Sequence, residues 1–157
     1  MLNAKPSGIL FGIALAGFLD GIGLHSILQW HHMVSGKISP DTMRGMKLNM
    51  LADGIFDLFC WLVTIAALIL LYRTAKNRRL PRGKVYTGWI LIGAGAFNFI
   101  EGIIDHEILG LHHVHPQSHW LAWDVGFLIV GGLVPAWIGW LLRREQQGNV
   151  VPIRRAA

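Results

Sequence analysis

Residues 18–33, FLDGIGLHSILQWHHM, recur further along the chain as FIEGIIDHEILGLHHV, residues 99–114. The alignment needs no gap. Asp20 falls on Glu101, Gly21 on Gly102, His25 on His106, Ile27-Leu28 on Ile108-Leu109, and His31-His32 on His112-His113. Six of the eight histidines lie inside this repeat, so it also marks where the chemistry of the chain is concentrated. A sequence that repeats its most polar pattern at fixed spacing predicts two equivalent structural units. Each must find partners for the same acid and the same imidazoles.

Both copies sit at the ends of apolar runs. Of the 157 residues 53% are hydrophobic and only 15% charged, with a mean hydropathy of +0.45. A soluble domain carries about 25% charge. A spanning helix needs about 20 mostly apolar residues, and four stretches qualify: about 8–31, 48–72, 86–110 and 119–142. The expectation is an all-α polytopic membrane protein, one membrane domain over 1–157. Its four transmembrane helices form two pseudo-symmetric helical hairpins in a parallel repeat. The second helix of each hairpin extends the resemblance: LADGIFDLF (51–59) matches LAWDVGFLI (121–129) with a one-residue shift, bringing Asp53 and Asp124 into correspondence. Residues 1–21 have a single basic residue, Lys5, and run on into the histidine motif, so they read as a retained span and not as a cleaved signal.

Charge sets the orientation. Arg73, Lys76, Arg78, Arg79, Arg82 and Lys84 lie between spans two and three. Arg143, Arg144, Arg154 and Arg155 follow span four, and Lys5 precedes span one. The other side has Lys37, Arg44 and Lys47. The positive-inside rule places both termini in the cytoplasm and both histidine motifs at the outer face of a bacterial cytoplasmic (inner) membrane. Trp89, Trp137 and Trp140 fit the inner aromatic belt and Trp30 and Trp120 the outer one, while mid-span Trp61 reads as bundle packing. Basic residues confined to loops set topology and are no nucleic-acid footprint. The partner they imply is the lipid bilayer. The single Cys60 excludes an internal disulfide and a cysteine metal cluster within one chain. Asp41, after Pro40, reads as the N-cap of span two.

An ionisable side chain within a span costs about 2.5–3.5 kcal/mol on insertion scales and is by default a functional-site hypothesis. The spans hold Asp20, His25, Asp53, Asp57, Glu101, Asp105, His106 and Asp124, with almost no Lys or Arg to pair with them. Protons or a metal must supply the positive charge. On an ideal helix His25, Gln29 and His32 share one face, and Asp20 and His31 an adjacent stripe. At ~1.5 Å per residue, His25 and Asp53 fall at one depth, and His106 and Asp124 match them in the other half. Mixed His and carboxylate ligands from all helices of a bundle build dimetal sites. The expected metal ligands are therefore His25, His106, Asp20, Glu101, Asp53 and Asp124, with His31, His32, His112 and His113 as an outer ring. Such donors suit a transition metal: Cu, Fe or Zn. His115 and His119 lie in the loop beside the second motif. Met33, Met43, Met46 and Met50 read as boundary residues, with soft copper ligation as the alternative.

The strings GFLDGIGLHSILQWHHM, LADGIFDLF and FNFIEGIIDHEILGLHHVH resemble a family of bacterial four-helix membrane proteins catalogued as a domain of unknown function. The resemblance covers nearly the whole chain and implies four spans and an inner-membrane location. Members encoded near cytochrome oxidase assembly proteins imply such components as partners and a role in copper or respiratory metal handling. The family pattern has His where this chain has Asp57 and Glu107, a departure that bears on both as ligands.

Three functions follow from the residues. One is a transition-metal site, mononuclear or dinuclear, for redox chemistry or metal handling, with a membrane metal-dependent oxidoreductase as its enzymatic form. The second is a b-type cytochrome, with haem b between His25 and His106. The third is a proton-coupled transporter using the intramembrane acids; four spans per chain would then call for a homodimer. Gln29-Trp30-His31-His32 loosely resembles the histidine boxes of membrane oxygenases and desaturases, but those lie on the cytoplasmic side.

Overall fold

Inside a bilayer every backbone polar group must be satisfied within the chain, which favours helices. The structure, a computed structural model, describes residues 4–77, 80–117 and 119–147, and the regular elements among them are all helical. Arg78, Arg79, Arg154 and Arg155 of the sequence-based charge count lie outside the described residues. Four helices are long and apolar enough to cross a membrane: α1 (Lys5–Ile27), α2 (Met43–Lys76), α3 (Gly83–Ile108) and α4 (Trp120–Arg144).

The helices pack in the order α2, α1, α3, α4, with α1 and α3 in direct contact at the centre. Nearly half of the apolar stretch of α1, 44%, is buried, against 11% for α2 and for α4. The outer helices therefore present most of their apolar surface outward, where lipid would cover it. Trp61 belongs to that surface: it is 54% exposed and packs no bundle interior, contrary to the sequence reading.

Small residues let the central pair approach. A methyl group at Gly12 would fall inside contact distance of the Ile90 carbonyl oxygen, and one at Gly93 inside that of Ile9. These two contacts are equivalent under the repeat, since 12 and 9 fall on 93 and 90. Gly88 of α3 and Gly139 of α4 meet in the same reciprocal way. Without a hydrophobic drive between helices in lipid, such close backbone packing is a principal source of association. Away from the histidines, Ser7 ties three helices: its hydroxyl donates to the Ala67 carbonyl at 2.9 Å and lies 2.8 Å from the Tyr86 hydroxyl.

The ends that carry the histidine motifs are not α-helical. α1 is α-helical over Lys5–Phe18 and π-helical over Leu19–Ile27. α3 is α-helical over Gly83–Glu101 and π-helical over Gly102–Ile108. α4 contains a third π segment, Phe127–Leu133, and the α-helical stretch that follows, Val134–Gln147, continues past the spanning segment. Gln29 (φ 51°) and Gly110 (φ 55°), equivalent positions of the repeat, end the first two in left-handed conformations. Trp30 N–H then returns to the Leu24 carbonyl and Leu111 N–H to that of Asp105, each one residue wider than a Schellman closure.

This corrects the expected first span, drawn to about residue 31. His31 and His32 leave the helix, so the two stripes predicted from an ideal helix do not form. α2 begins earlier than expected, and its cap is Thr42, whose hydroxyl accepts from Gly45 N–H at 3.0 Å. Asp41 instead accepts from the Ser39 hydroxyl at 2.6 Å.

Candidate metal centre

In an α-helix, residues five apart point about 140° from each other. Asp20 and His25, and likewise Glu101 and His106, are five apart. A π-helix, with its i→i+5 bonding, brings such a pair onto one side, and π turns concentrate at functional sites. His25 Nε2 lies 3.1 Å from Asp20 Oδ2, and His106 Nε2 lies 3.4 Å from Glu101 Oε1. The acid-x4-His spacing was therefore the sequence signal for the π turn, and reading it at 3.6 residues per turn concealed it.

Once the chain leaves each helix, its His-His pair folds back over the bundle. His31 and His112 stack face to face, with ring centroids 4.5 Å apart and planes 6° from parallel. Each crosses to the other half for its hydrogen bond. His31 Nδ1 lies 2.9 Å from the Val114 carbonyl and His112 Nδ1 lies 3.0 Å from the Met33 carbonyl. Residues 33 and 114 are again equivalent, so the exchange is reciprocal. Binding to a carbonyl fixes the proton on Nδ1 and leaves Nε2 with a free lone pair. His31 Nε2 lies 3.7 Å from Asp20 Oδ1, and His112 Nε2 lies 3.3 Å from Glu101 Oε1. His31, beyond the end of α1, is pushed below the ordinary imidazole range by burial, which favours the neutral, ligating form.

Asp53 and Asp124 lie behind this cluster. Asp53 Oδ1 accepts from Met33 N–H at 2.8 Å and is 3.0 Å from His25 Nδ1; its Oδ2 is 2.7 Å from His32 Nδ1. Asp124 repeats the pattern: Val114 N–H at 2.9 Å, His106 Nδ1 at 3.2 Å and His113 Nδ1 at 2.6 Å. Phe56 and Phe127, three residues after each Asp, lie tilted against His25 and His106, with ring centroids 6.1 Å and 5.6 Å away. The second helices thus align without a gap through Asp-x-x-Phe. That signal was present in the sequence and missed.

The ten expected site residues therefore separate into two groups. Asp20, His25, His31, Glu101, His106 and His112 converge at the centre, all buried. Asp53, Asp124, His32 and His113 surround them, with the aspartates on the Nδ1 edges of His25 and His106. His115 sits apart, its ring 5.2 Å from Trp30 and 5.5 Å from Trp123. His119 is the left-handed residue before α4. Asp57 lies against Gly21 on the flank of α1, its Oδ1 buried without a hydrogen-bond partner.

The central donors are under-satisfied. Asp20 Oδ2, both nitrogens of His25, His31 Nε2, Glu101 Oε1, His106 Nδ1 and His112 Nε2 are buried without an aligned hydrogen bond. Several lie within ion-pairing distance, but their directions miss one another. Buried polar atoms are seldom left so. Two sets place one donor atom per residue within 4.8 Å of one another: His25, His31 and His112, and Glu101, His106 and His112. Imidazole Nε2 has one lone pair, so His112 can serve only one ion at a time. Above the cluster is a cavity of about 330 Å³ whose lining includes Trp30, His32, Met46, His113 and Pro116.

No curated protein and no solved structure matches this chain. The family model described as predicted membrane protein (DUF2243) matches residues 7–146, and the chain belongs to that family.

Proposed function

We propose that the chain is a membrane protein holding a transition metal at the pseudo-symmetric centre. His25, His31, His106, His112, Asp20 and Glu101 supply the ligands. The observation that carries this reading is the convergence of four imidazoles, two with Nδ1 hydrogen-bonded and two with Nδ1 beside a carboxylate but without an aligned bond. His31 and His112 meet backbone carbonyls, and His25 and His106 face Asp53 and Asp124. Metal-bound histidines typically have such a partner on the second nitrogen, which fixes the tautomer and raises ligand basicity. Asp53 and Asp124 are then orienting residues, with His32 and His113 bracing them. Imidazole and carboxylate donors without thiolate suit Fe, Cu, Zn or Mn. Two halves with one acid and two histidines each have capacity for one ion or two. A bound redox metal would supply electron transfer; Zn would serve Lewis-acid chemistry or metal handling.

The basic residues of the described chain favour the orientation drawn above. Lys5 and Arg143 lie over Trp89 and Arg144 lies over Trp140, in a cationic and aromatic band at the other end of the bundle. In a bacterial inner membrane this band would face the cytoplasm and the metal the outer side. A service to oxidase assembly is the role that the family resemblance implies for such a site.

The haem reading has less support. The stacked His31–His112 pair lies between the rings of His25 and His106 and would have to be displaced by a macrocycle. Carboxylates would also face the porphyrin. Metal analysis and an optical spectrum on the purified protein test both readings. The expected result is stoichiometric Fe, Cu, Zn or Mn without a Soret band, lost in the His31→Ala, His112→Ala double variant. A natively folded, metal-free protein that takes up none of these ions would overturn the proposal.

A further inference from the structure

Asp105 breaks the repeat, because its equivalent in the first half is Leu24. It lines a cavity of about 320 Å³ between α1, α2 and α3, together with Ile13, Phe56, Phe97, Ile100 and Glu101. Drug-sized ligands occupy cavities from about 300 Å³ upward. Phe56 and Phe97 form one wall, their rings 6.2 Å apart and 24° from parallel. Ile100 and Ile104, 57% and 42% exposed within the apolar span of α3, form a rim that faces lipid. Among the described residues of the lining, Glu101 and Asp105 are the polar ones. Glu101 is 7% exposed, and its Oε1 has no hydrogen-bond partner.

This combination selects its occupant. Two carboxylates repel an anionic head such as a fatty acid and favour a hydrogen-bond donor. The paired aromatic rings favour a flat ring. A rim at bilayer depth admits a molecule already dissolved in lipid and leaves its tail there. We propose that the cavity binds a membrane-soluble hydroquinone, its ring between Phe56, Phe97 and Ile13, a hydroxyl donating to Asp105, and its tail passing Ile100 and Ile104. The site stands on the cavity and its chemistry, independently of the metal reading, although Glu101 belongs to both.

The test is equilibrium binding of radiolabelled decyl hydroquinone to the full chain in lipid nanodiscs. Saturable binding at one site per chain is expected. Asp105→Leu, which installs the residue the other half carries there, should weaken binding by about tenfold, the order of one hydrogen bond to a charged group. Ala96→Trp, at an exposed residue of the cavity lining, should do the same by filling it. Thermal unfolding of both variants reports whether the fold persists, and either folded variant suffices. Non-saturable partitioning, binding unchanged in a folded variant, or equal binding of decanol or decanoate would each overturn the proposal.

Discussion

Replacing Asp124 by Asn tests the orienting role most sharply, because it keeps the shape and removes the charge. Asp124 Oδ1 accepts from Val114 N–H at 2.9 Å and faces His106 Nδ1 at 3.2 Å, while Oδ2 holds His113 Nδ1 at 2.6 Å. Asn retains one oxygen and turns the other into an NH₂ donor. It can satisfy Val114 N–H, but it no longer presents a carboxylate to both rings. His106 then loses its preference for a proton on Nδ1, and part of the population carries it on Nε2, where it blocks ligation. Loss of such a partner typically costs 10–100-fold in metal affinity, or about 1.4–2.7 kcal/mol. Metal retention against chelators of graded strength, read by elemental analysis, measures it. Asp53→Asn must show a loss of the same order, since Asp53 makes the equivalent contacts to Met33, His25 and His32. Retention unchanged in both folded variants would refute the orienting role. A total loss equal to that of a ligand variant would instead place the aspartates among the ligands.

Other expectations concern the scaffold, all read by thermal unfolding in detergent or nanodiscs. Gly12→Ala and Gly93→Ala should each destabilise the protein by about 1–3 kcal/mol, and by similar amounts, because each forces α1 from α3 at an equivalent backbone contact. Gly54→Ala should stabilise α2 by about 0.5–1 kcal/mol, since a methyl there meets nothing. Gly110→Ala should destabilise by about 1–2 kcal/mol and Gln29→Gly should be neutral or stabilising, because both positions are left-handed. Thr42→Ala should cost about 1 kcal/mol through loss of the α2 cap.

Much of this architecture was legible in the residues. Apolar runs of spanning length gave the four helices, and an ungapped repeat showed which of them correspond. The convergence of Asp20, His25, Glu101 and His106 followed from the cost of burying them alone. Local backbone conformation was harder to read. A π turn has no composition signature, so the only clue was an acid and a histidine five residues apart. Gly110 marked the left-handed end of α3, whereas Gln29 at the equivalent place carried no such mark. That is why His31 and His32 were drawn as helical. The carbonyls of Met33 and Val114 were out of reach, since any residue can supply a backbone oxygen. The position of Asp53 and Asp124 beside the Nδ1 edges of His25 and His106 was equally out of reach, because depth along a helix does not tell which edge of an imidazole a carboxylate faces.

X-ray absorption at the edge of the bound metal tests the central claim most directly, because it reports the atoms that touch the ion. The account predicts a first shell of nitrogen and oxygen, with the outer-shell scattering of several imidazoles that diminishes in His31→Ala and in His112→Ala alike. A first shell containing sulfur, from Cys60 or the methionines, or a shell without imidazole scattering, would contradict it.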